Sequence, residues 1–342
     1  MLAIIDWFPF YTLKVVVRVS KFFHIHAGRR LWKSCSITIW DPSTTGRLED
    51  GLDFVAKHAT HVRRLSLGLY SALATPKHPH VLRKLSETLA SLTALKSLEI
   101  AVHSSKSAGE ILQALSVGVF APDLAEFSTD LDVADLVPFW STHPLISHVM
   151  VGTHSRKPHR ATTDPIPLPS LASVHVKSPL ASVVIRGNPV TFVDISCGPM
   201  SNLGSAANAP ETFMSNMFLS TAPITRLNMN IADDESSIKW YTIVIANLPH
   251  LRYLNTYHST SFMTQPERRA RVIEVLGSLA FLEELTWGII KPPDLAALME
   301  ATSVSSRQFQ ALRVAMTTTV IMPGTWRENR YTRQDTSQAW SK

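Results

Sequence analysis

Cysteine and glycine are scarce in this chain, and their scarcity excludes several classes of protein. The 342 residues include only 2 Cys and 13 Gly, too few for a disulfide-stapled scaffold or a collagen-like repeat. Cys35 and Cys197 lie far apart and belong to no Cys-x-x-Cys or Cys/His spacing. Two such thiols fit a reducing compartment. We therefore expect the protein in the cytoplasm or the nucleus.

Long apolar runs are also missing. The most apolar stretch lies at the N-terminus, where Asp6, Pro9 and Lys14 interrupt it. A membrane-spanning helix needs about 20 mostly apolar residues, and a secretory signal starts with basic residues that this stretch lacks. We expect a globular N-terminal segment and no membrane contact.

The charge balance is mildly basic and does not indicate nucleic acid. The chain has 33 Lys and Arg against 27 Asp and Glu, a formal net charge of +6. Its 45% hydrophobic content is high enough to bury a core, which disordered chains cannot do. The basic stretches at Arg29–Arg30 and Arg156–Arg160 have no interleaved aromatic residues. Solvated loops explain them better than a nucleic-acid surface does.

Motifs for catalysis, cofactors and metals are absent as well. No Gly-x-Ser-x-Gly, Gly-x-x-x-x-Gly-Lys-Ser/Thr or Gly-x-Gly-x-x-Gly occurs, so nothing predicts a nucleophile elbow or a phosphate loop. The histidines include three close pairs without a Cys partner or a His-Glu-x-x-His spacing: His24 and His26, His58 and His61, and His78 and His80. We predict no catalytic residue, no metal site and no cofactor. An α/β enzyme with an unrecognised site is the alternative.

What the chain does contain is a recurring phrase of four apolar residues. The second residue, a Leu, lies three positions after the first, the third lies three positions after the second, and the fourth lies two positions after the third. Clear copies begin at Leu92, Leu168, Leu248 and Leu279, and looser ones at Val62 and Ile224. Apolar residues two positions apart share one face of a strand. Helical periodicity separates the copies at Val81 to Leu92, Ala108 to Val119, Ser237 to Leu248, Arg268 to Leu279 and Asp294 to Ala301. Strand-plus-helix units of this kind stack into a parallel sheet.

The middle of the chain is less regular. Three apolar runs at residues 171–178, 180–187 and 190–197 leave almost no room for helices between them. They predict three strands joined by short turns. Polar loops are expected at residues 152–164 and 198–210, and a helix near Glu211 to Leu219.

This organisation resembles a leucine-rich-repeat protein of the irregular, long-repeat kind, over Arg47 to Thr317. The resemblance implies an α/β solenoid with a parallel β-sheet on the concave face and helices outside. We place the solenoid at residues 41–322, a short helical segment at residues 1–40 before it, and a polar, flexible tail at residues 323–342. The alternative fold is an ordinary doubly wound α/β domain.

The N-terminal segment carries a second resemblance. The phrases Val19-Ser20-Lys21-Phe22-Phe23 and Leu31-Trp32-Lys33-Ser34 are similar to the second half of an F-box, a helical module found before leucine-rich repeats in large fungal protein sets. The opening half of that module has no counterpart here. The resemblance implies that a Skp-type adaptor, and through it a cullin, binds Val19, Phe22, Phe23, Leu31 and Trp32. Alternatively, Leu31 and Trp32 cap the end of the solenoid.

The outward strand positions between the buried residues form the predicted partner surface. They are Arg64, Ser66, Ser97, Glu99, Ser173, His175, Arg226, Asn228, Tyr253, Asn255, Glu284 and Thr286. Such a mixture of Arg, Tyr, His, Asn and Glu suits protein recognition. By resemblance, the function is non-catalytic substrate recognition in an Skp–cullin–F-box ubiquitin ligase, with an unknown protein as target. The alternative is a stand-alone leucine-rich-repeat interaction protein.

Overall fold

A computed structural model describes much of the chain as two compact units. The described residues are 18, 27, 30–39, 45–69, 79–102, 111, 115, 120–151, 166–176, 184–195, 217–231, 234–258, 266–290, 305 and 315–321. Unit 1 comprises Met1–Thr162 with Ile166–Leu171, and unit 2 comprises Thr163–Pro165 with Ala172–Lys342.

Unit 1 contains parallel strands that pair in chain order. The strands are β1 (Ser34–Ile39), β2 (Arg64–Leu69), β3 (Ser97–Val102), β4 (Glu126–Thr129) and β5 (His148–Val151). Each pairs with the next in parallel. The connecting helices are α1 (Thr45–Lys57), α2 (Pro79–Ser91) and α3 (Val137–Thr142), the last preceded by a 3-10 turn at Val133–Leu136.

Unit 2 repeats the same plan. Its strands are β6 (Ser173–Val176), β7 (Phe192–Asp194), β8 (Arg226–Ile231), β9 (Tyr253–His258), β10 (Glu284–Ile290) and β11 (Ala315–Ile321). They too pair in parallel and in chain order. Helix α4 (Asp234–Asn247) follows β8, α5 (Pro266–Leu276) follows β9, and a 3-10 turn at Met217–Leu219 precedes β8.

The recurring phrase forms the same turn in both units. The second leucine of the phrase donates its backbone N–H to the carbonyl of the first, at 3.2 Å for Leu95 to Leu92 and 3.1 Å for Leu251 to Leu248. All four leucines are buried. The spacing of three therefore places two leucines in the core on either side of one tight turn, just before a strand begins.

A second backbone pattern joins each repeat to the next. The carbonyl of Thr225, just before β8, accepts the N–H groups of Arg252 and Tyr253, at 2.9 and 3.0 Å. The carbonyl of Lys33 accepts from Arg63 and Arg64 in the same way. Because each strand starts from the same pair of bonds, equivalent residues of neighbouring strands stay in register.

Residues at equivalent positions of neighbouring strands form part of the core of unit 2. Leu227, Leu254 and Leu285 lie opposite one another on β8, β9 and β10 and are at most 1% exposed. The recurring phrase predicts Leu254 and Leu285 as buried strand residues, and their burial confirms this. The α/β class with a parallel sheet is also confirmed.

Three predicted helices are confirmed. Helices α2, α4 and α5 lie where periodicity placed helices at Val81 to Leu92, Ser237 to Leu248 and Arg268 to Leu279. In the stretch predicted as Ala108 to Val119, Ile111 and Leu115 are helical and buried, and its other residues lie outside the described ones. The predicted helix at 294–301, the predicted loops at 152–164 and 198–210, and the predicted tail also lie outside the described residues. Of the helix predicted at 211–219, only the final 3-10 turn is described.

The strand predicted at residues 180–187 is wrong. Val184 and Ile185 are helical and fully buried, and the Asn188 side chain donates to the Val184 carbonyl at 2.7 Å. Gly187 adopts a φ of 75°, which ends the helical turn at little cost because glycine has no Cβ. A short apolar run signals burial but does not distinguish a strand from a helical turn. Accordingly, a helical turn lies between β6 and β7.

Part of the segment predicted as helical, residues 1–40, is a strand. Strand β1 spans Ser34–Ile39 and pairs with β2 from Ser34 opposite Arg64 onward. The sheet of unit 1 therefore starts inside that segment. Within the described ranges, no helix combines the length and apolarity needed to cross a membrane.

Candidate recognition surface

The predicted partner residues lie on the strands, at positions that alternate with buried residues. Arg64, Glu99, Arg226 and Glu284 are exposed, and seven of the others are partly exposed: Ser66, Ser97, His175, Asn228, Tyr253, Asn255 and Thr286. Ser173 departs from the pattern, because it is only 5% exposed. The structure divides the set between the units, with Arg64, Ser66, Ser97 and Glu99 in unit 1 and the rest in unit 2.

In unit 2 the strand register arranges the outward residues in two rows. We call the first the charged row; it comprises Phe192, Arg226, Tyr253 and Glu284, which lie opposite one another on β7 to β10. The second, two positions further along each strand, we call the polar row; it comprises His175, Asp194, Asn228, Asn255 and Thr286.

Phe192 and Asp194 belong to these rows but were missed in the sequence. The recurring phrase is absent before β7. The sequence therefore did not show which residues of the run at 190–197 face outward. The only usable signal was alternation within residues 190–197, where Val193 is fully buried between them.

Arg226 lies between two aromatic rings. The carbon at the centre of its guanidinium is 4.8 Å from the centre of the Tyr253 ring and 5.9 Å from that of Phe192. Both distances allow attraction between the cation and the ring faces. Within the described part of the chain, no carboxylate oxygen forms an ion pair with Arg226. The rings thus hold an exposed cation whose hydrogen-bonding edge is open to a partner.

Tyr253 itself has an acidic neighbour. The nearby Glu283 carboxylate raises the pKa of Tyr253 above its ordinary value, with Glu284 adding a smaller electrostatic effect. Glu283 also lies 3.4 Å from Arg252. The raised pKa favours the neutral phenol beside Arg226.

The polar row centres on a buried carboxylate. The Asp194 side chain is 8% exposed; its Oδ2 accepts from Asn228 Nδ2 at 2.9 Å and lies 3.2 Å from His175 Nδ1. A carboxylate beside an imidazole is also the orienting half of a nucleophilic triad. However, no hydroxyl or thiol of the described residues lies within hydrogen-bond distance of the His175 ring. The cluster therefore fixes the directions of His175 and Asn228.

The two rows line a depression of about 280 Å³. Its walls include Arg226, Tyr253 and Glu284 from the charged row, with Asn228 and Thr286 from the polar row. Small-molecule sites are usually larger apolar clefts with few polar groups. A depression this polar is better suited to side chains of a protein partner.

The predicted adaptor residues are described only in part. Val19, Phe22 and Phe23 lie outside the described residues. Leu31 and Trp32 are half-buried at the start of unit 1.

Trp32 packs against the end of α1. Its ring stacks on His58 with centres 3.7 Å apart and planes at 23°, and it meets the edge of Phe54 at 6.5 Å. His61 lies further out, at 6.2 Å. The indole therefore covers the last turn of a helix within unit 1.

The histidine pairs do not assemble a metal site in the described ranges. There, no three His, Cys, Asp or Glu side chains come together as metal ligands. His58 is engaged by Trp32, and His80 hydrogen-bonds to Glu49 at 2.8 Å, linking α2 to α1. His24, His26 and His78 lie outside the described residues.

Comparison with known proteins adds no identification. No protein-family model matches the chain, and no curated protein matches it. The surface is therefore interpreted from its own geometry.

Proposed function

We propose that this chain is a non-catalytic protein-recognition module of the leucine-rich-repeat type, and that its partner binds the outward strand face of unit 2. The observation that carries the proposal is Arg226 held between Phe192 and Tyr253 on an exposed face. Arg and Tyr are among the residues that contribute most to binding energy in protein interfaces. Neither aromatic ring is needed there for the core, which lies on the opposite side of each strand.

The repeat architecture supports the leucine-rich-repeat assignment. The same two-leucine turn and the same pair of backbone bonds recur at successive strands in both units. Each repeat then contacts mainly its neighbours, as in solenoid proteins. Such proteins commonly use an extended sheet face for binding, which is the face that the charged and polar rows occupy.

The test compares two variants that add the same number of arginines on different faces. Asn228→Arg with Thr286→Arg fills the depression, whereas Thr242→Arg with Ala246→Arg places the same side chains on the exposed side of α4. We expect proteins from the source cells to be retained by the full-length wild type and by the helix variant, but lost from the strand variant. Retention of the same proteins by all three chains, or of none by the wild type, would contradict the proposal.

A second candidate is the ubiquitin-ligase substrate receptor, in which a Skp-type adaptor and a cullin bind the N-terminal segment. The Leu31-Trp32-Lys33-Ser34 phrase favours it, because it matches the F-box pattern. The packing of Trp32 on His58 gives that tryptophan a structural role that does not need an adaptor. The two roles are separable by experiment.

Adaptor binding is measured by pull-down with a recombinant Skp-type adaptor. Under the ligase hypothesis the wild type retains the adaptor, and Phe22→Ala with Phe23→Ala loses it without a change in melting temperature. A deletion must end before β1, because removal of Ser34–Ile39 would leave β2 paired on one side only. We therefore use a deletion of residues 1–29. No retention by the wild type would contradict the ligase role and leave the stand-alone module.

A further inference from the structure

We propose that the charged row binds a partner segment that presents an acidic side chain to Arg226 and a basic side chain to Glu284. This inference rests on the proposed function, since it specifies the chemistry of the partner on the same face.

The first argument is the unmatched charge of Arg226. Its guanidinium is exposed and stacks with two rings, yet forms no ion pair within the described ranges. Stacking leaves the five N–H donors of the guanidinium available at its edge, where a carboxylate accepts two of them at once. The aromatic rings also restrict the side chain before binding, which reduces the rotamer entropy lost when a partner docks.

A comparison within the chain shows that Arg64 of unit 1 lacks this clamp. Arg64 occupies the same first position of its strand, but its register neighbours are Ser34 and Ser97. Serine side chains offer no ring face to a guanidinium. Arg64 is therefore an ordinary exposed arginine, and it provides a matched control.

The second argument is Glu284 at the other end of the row. It lies opposite Tyr253, which lies opposite Arg226. Neighbouring strands are about 4.8 Å apart, so the two charged residues lie about 10 Å apart across the sheet. That separation exceeds the Debye length of about 8 Å at physiological salt, and the two charges do little to neutralise each other. Glu284 has no described cation within ion-pair distance either.

The neighbouring charged residues leave Arg226 available to an acidic group and Glu284 available to a basic group. Asp194, the acid of the polar row, is largely buried and already bonded to Asn228, and Glu283 lies 3.4 Å from Arg252. Among the described residues of the two rows, Arg226 is thus the cation that remains for an incoming acid, and Glu284 the anion that remains for an incoming base.

The experiment selects peptides from a random display library on the full-length chain. The key variant exchanges the two charges, Arg226→Glu with Glu284→Arg, and keeps the net charge unchanged. Its control makes the same exchange in unit 1, Arg64→Glu with Glu99→Arg. We expect wild-type peptides to share an acidic and a basic position, and to bind the exchanged variant about tenfold or more weakly, as the loss of a charge-assisted hydrogen bond implies.

Peptides with the two charges reversed should recover their binding on the exchanged variant, while the unit 1 control should bind like the wild type. Enriched peptides without the acid–base pattern, or with equal affinity for all three chains, would overturn this inference but leave the proposed function standing. Peptides that lose affinity only on the unit 1 control would do the same. If the wild type enriched no peptide, this inference would be overturned, while retention of partner proteins would still decide the proposed function.

Discussion

Removal of one buried oxygen in unit 2 should measurably destabilise the protein. Tyr241 of α4 is fully buried; its hydroxyl donates to Thr256 Oγ1 at 3.0 Å and accepts from Trp287 Nε1 at 3.2 Å. Tyr241→Phe keeps the ring and removes both bonds. Each buried polar group that loses its partner costs about 1–3 kcal/mol, so the loss of both bonds should lower the free energy of unfolding by about 2–6 kcal/mol.

The assay is urea unfolding of the full chain followed by tryptophan fluorescence. A loss of that size lowers the midpoint by about 1–2 M if the m-value is near 3 kcal/mol/M. Tyr253→Phe is the matched control, since it deletes the same atom from a side chain on the outward face. We expect its midpoint to stay within experimental error of the wild type.

The reasoning would be refuted if Tyr241→Phe and Tyr253→Phe had the same midpoint. A double-mutant cycle with Thr256→Val sharpens the test, because removal of both partners of a buried bond costs less than the sum of the single changes. Additive effects would mean that the Tyr241–Thr256 bond contributes nothing.

Three further predictions follow from burial. Leu254→Ala or Leu285→Ala should each cost about 2–5 kcal/mol in urea unfolding, whereas Leu219→Ala, at a position 40% exposed, should cost far less; equal costs would contradict the repeat register. Burial raises the pKa of Tyr241 in the folded state. The stability that the protonated phenol contributes is therefore present below the pKa of about 10 that tyrosine has in the unfolded chain, and it is lost as the pH rises above that value. The loss of stability from pH 9 to 11 should be smaller in Tyr241→Phe than in the wild type. Burial also raises the pKa of Cys35, so in a Cys197→Ser variant its alkylation at pH 8 should be slower than that of a small free thiol, and an equal rate would show an open site.

The repeat phrase could be predicted from the sequence because its spacing has a direct structural cause. Leu248 and Leu251 form one turn, and Leu254 enters the next strand, so three leucines three residues apart mark one strand each time. Where the phrase is missing, prediction was less reliable: β7 lies inside the run predicted as a strand at residues 190–197, but the strand predicted at residues 180–187 is wrong. Val184 and Ile185 are as buried as any strand residue, and burial alone could not show that the backbone there is helical.

The binding surface was predictable one strand at a time but not as a site. Arg226, Tyr253 and Glu284 were found because the phrase assigns each a face. That they form one row depends on inter-strand register, which is fixed by backbone bonds between distant repeats. The aromatic clamp also needs Phe192, whose strand carries no phrase, and so the site could be completed only in three dimensions.

Oxidative footprinting tests the central claim, recognition through the outward face of unit 2, most directly. The full chain is exposed to hydroxyl radicals alone and when saturated with a protein that it retains, and oxidation is measured residue by residue. We predict a several-fold fall at Phe192 and Tyr253, with no change at Phe281, which is 51% exposed in the turn before β10. Unchanged oxidation at Tyr253 together with protection elsewhere would contradict the account.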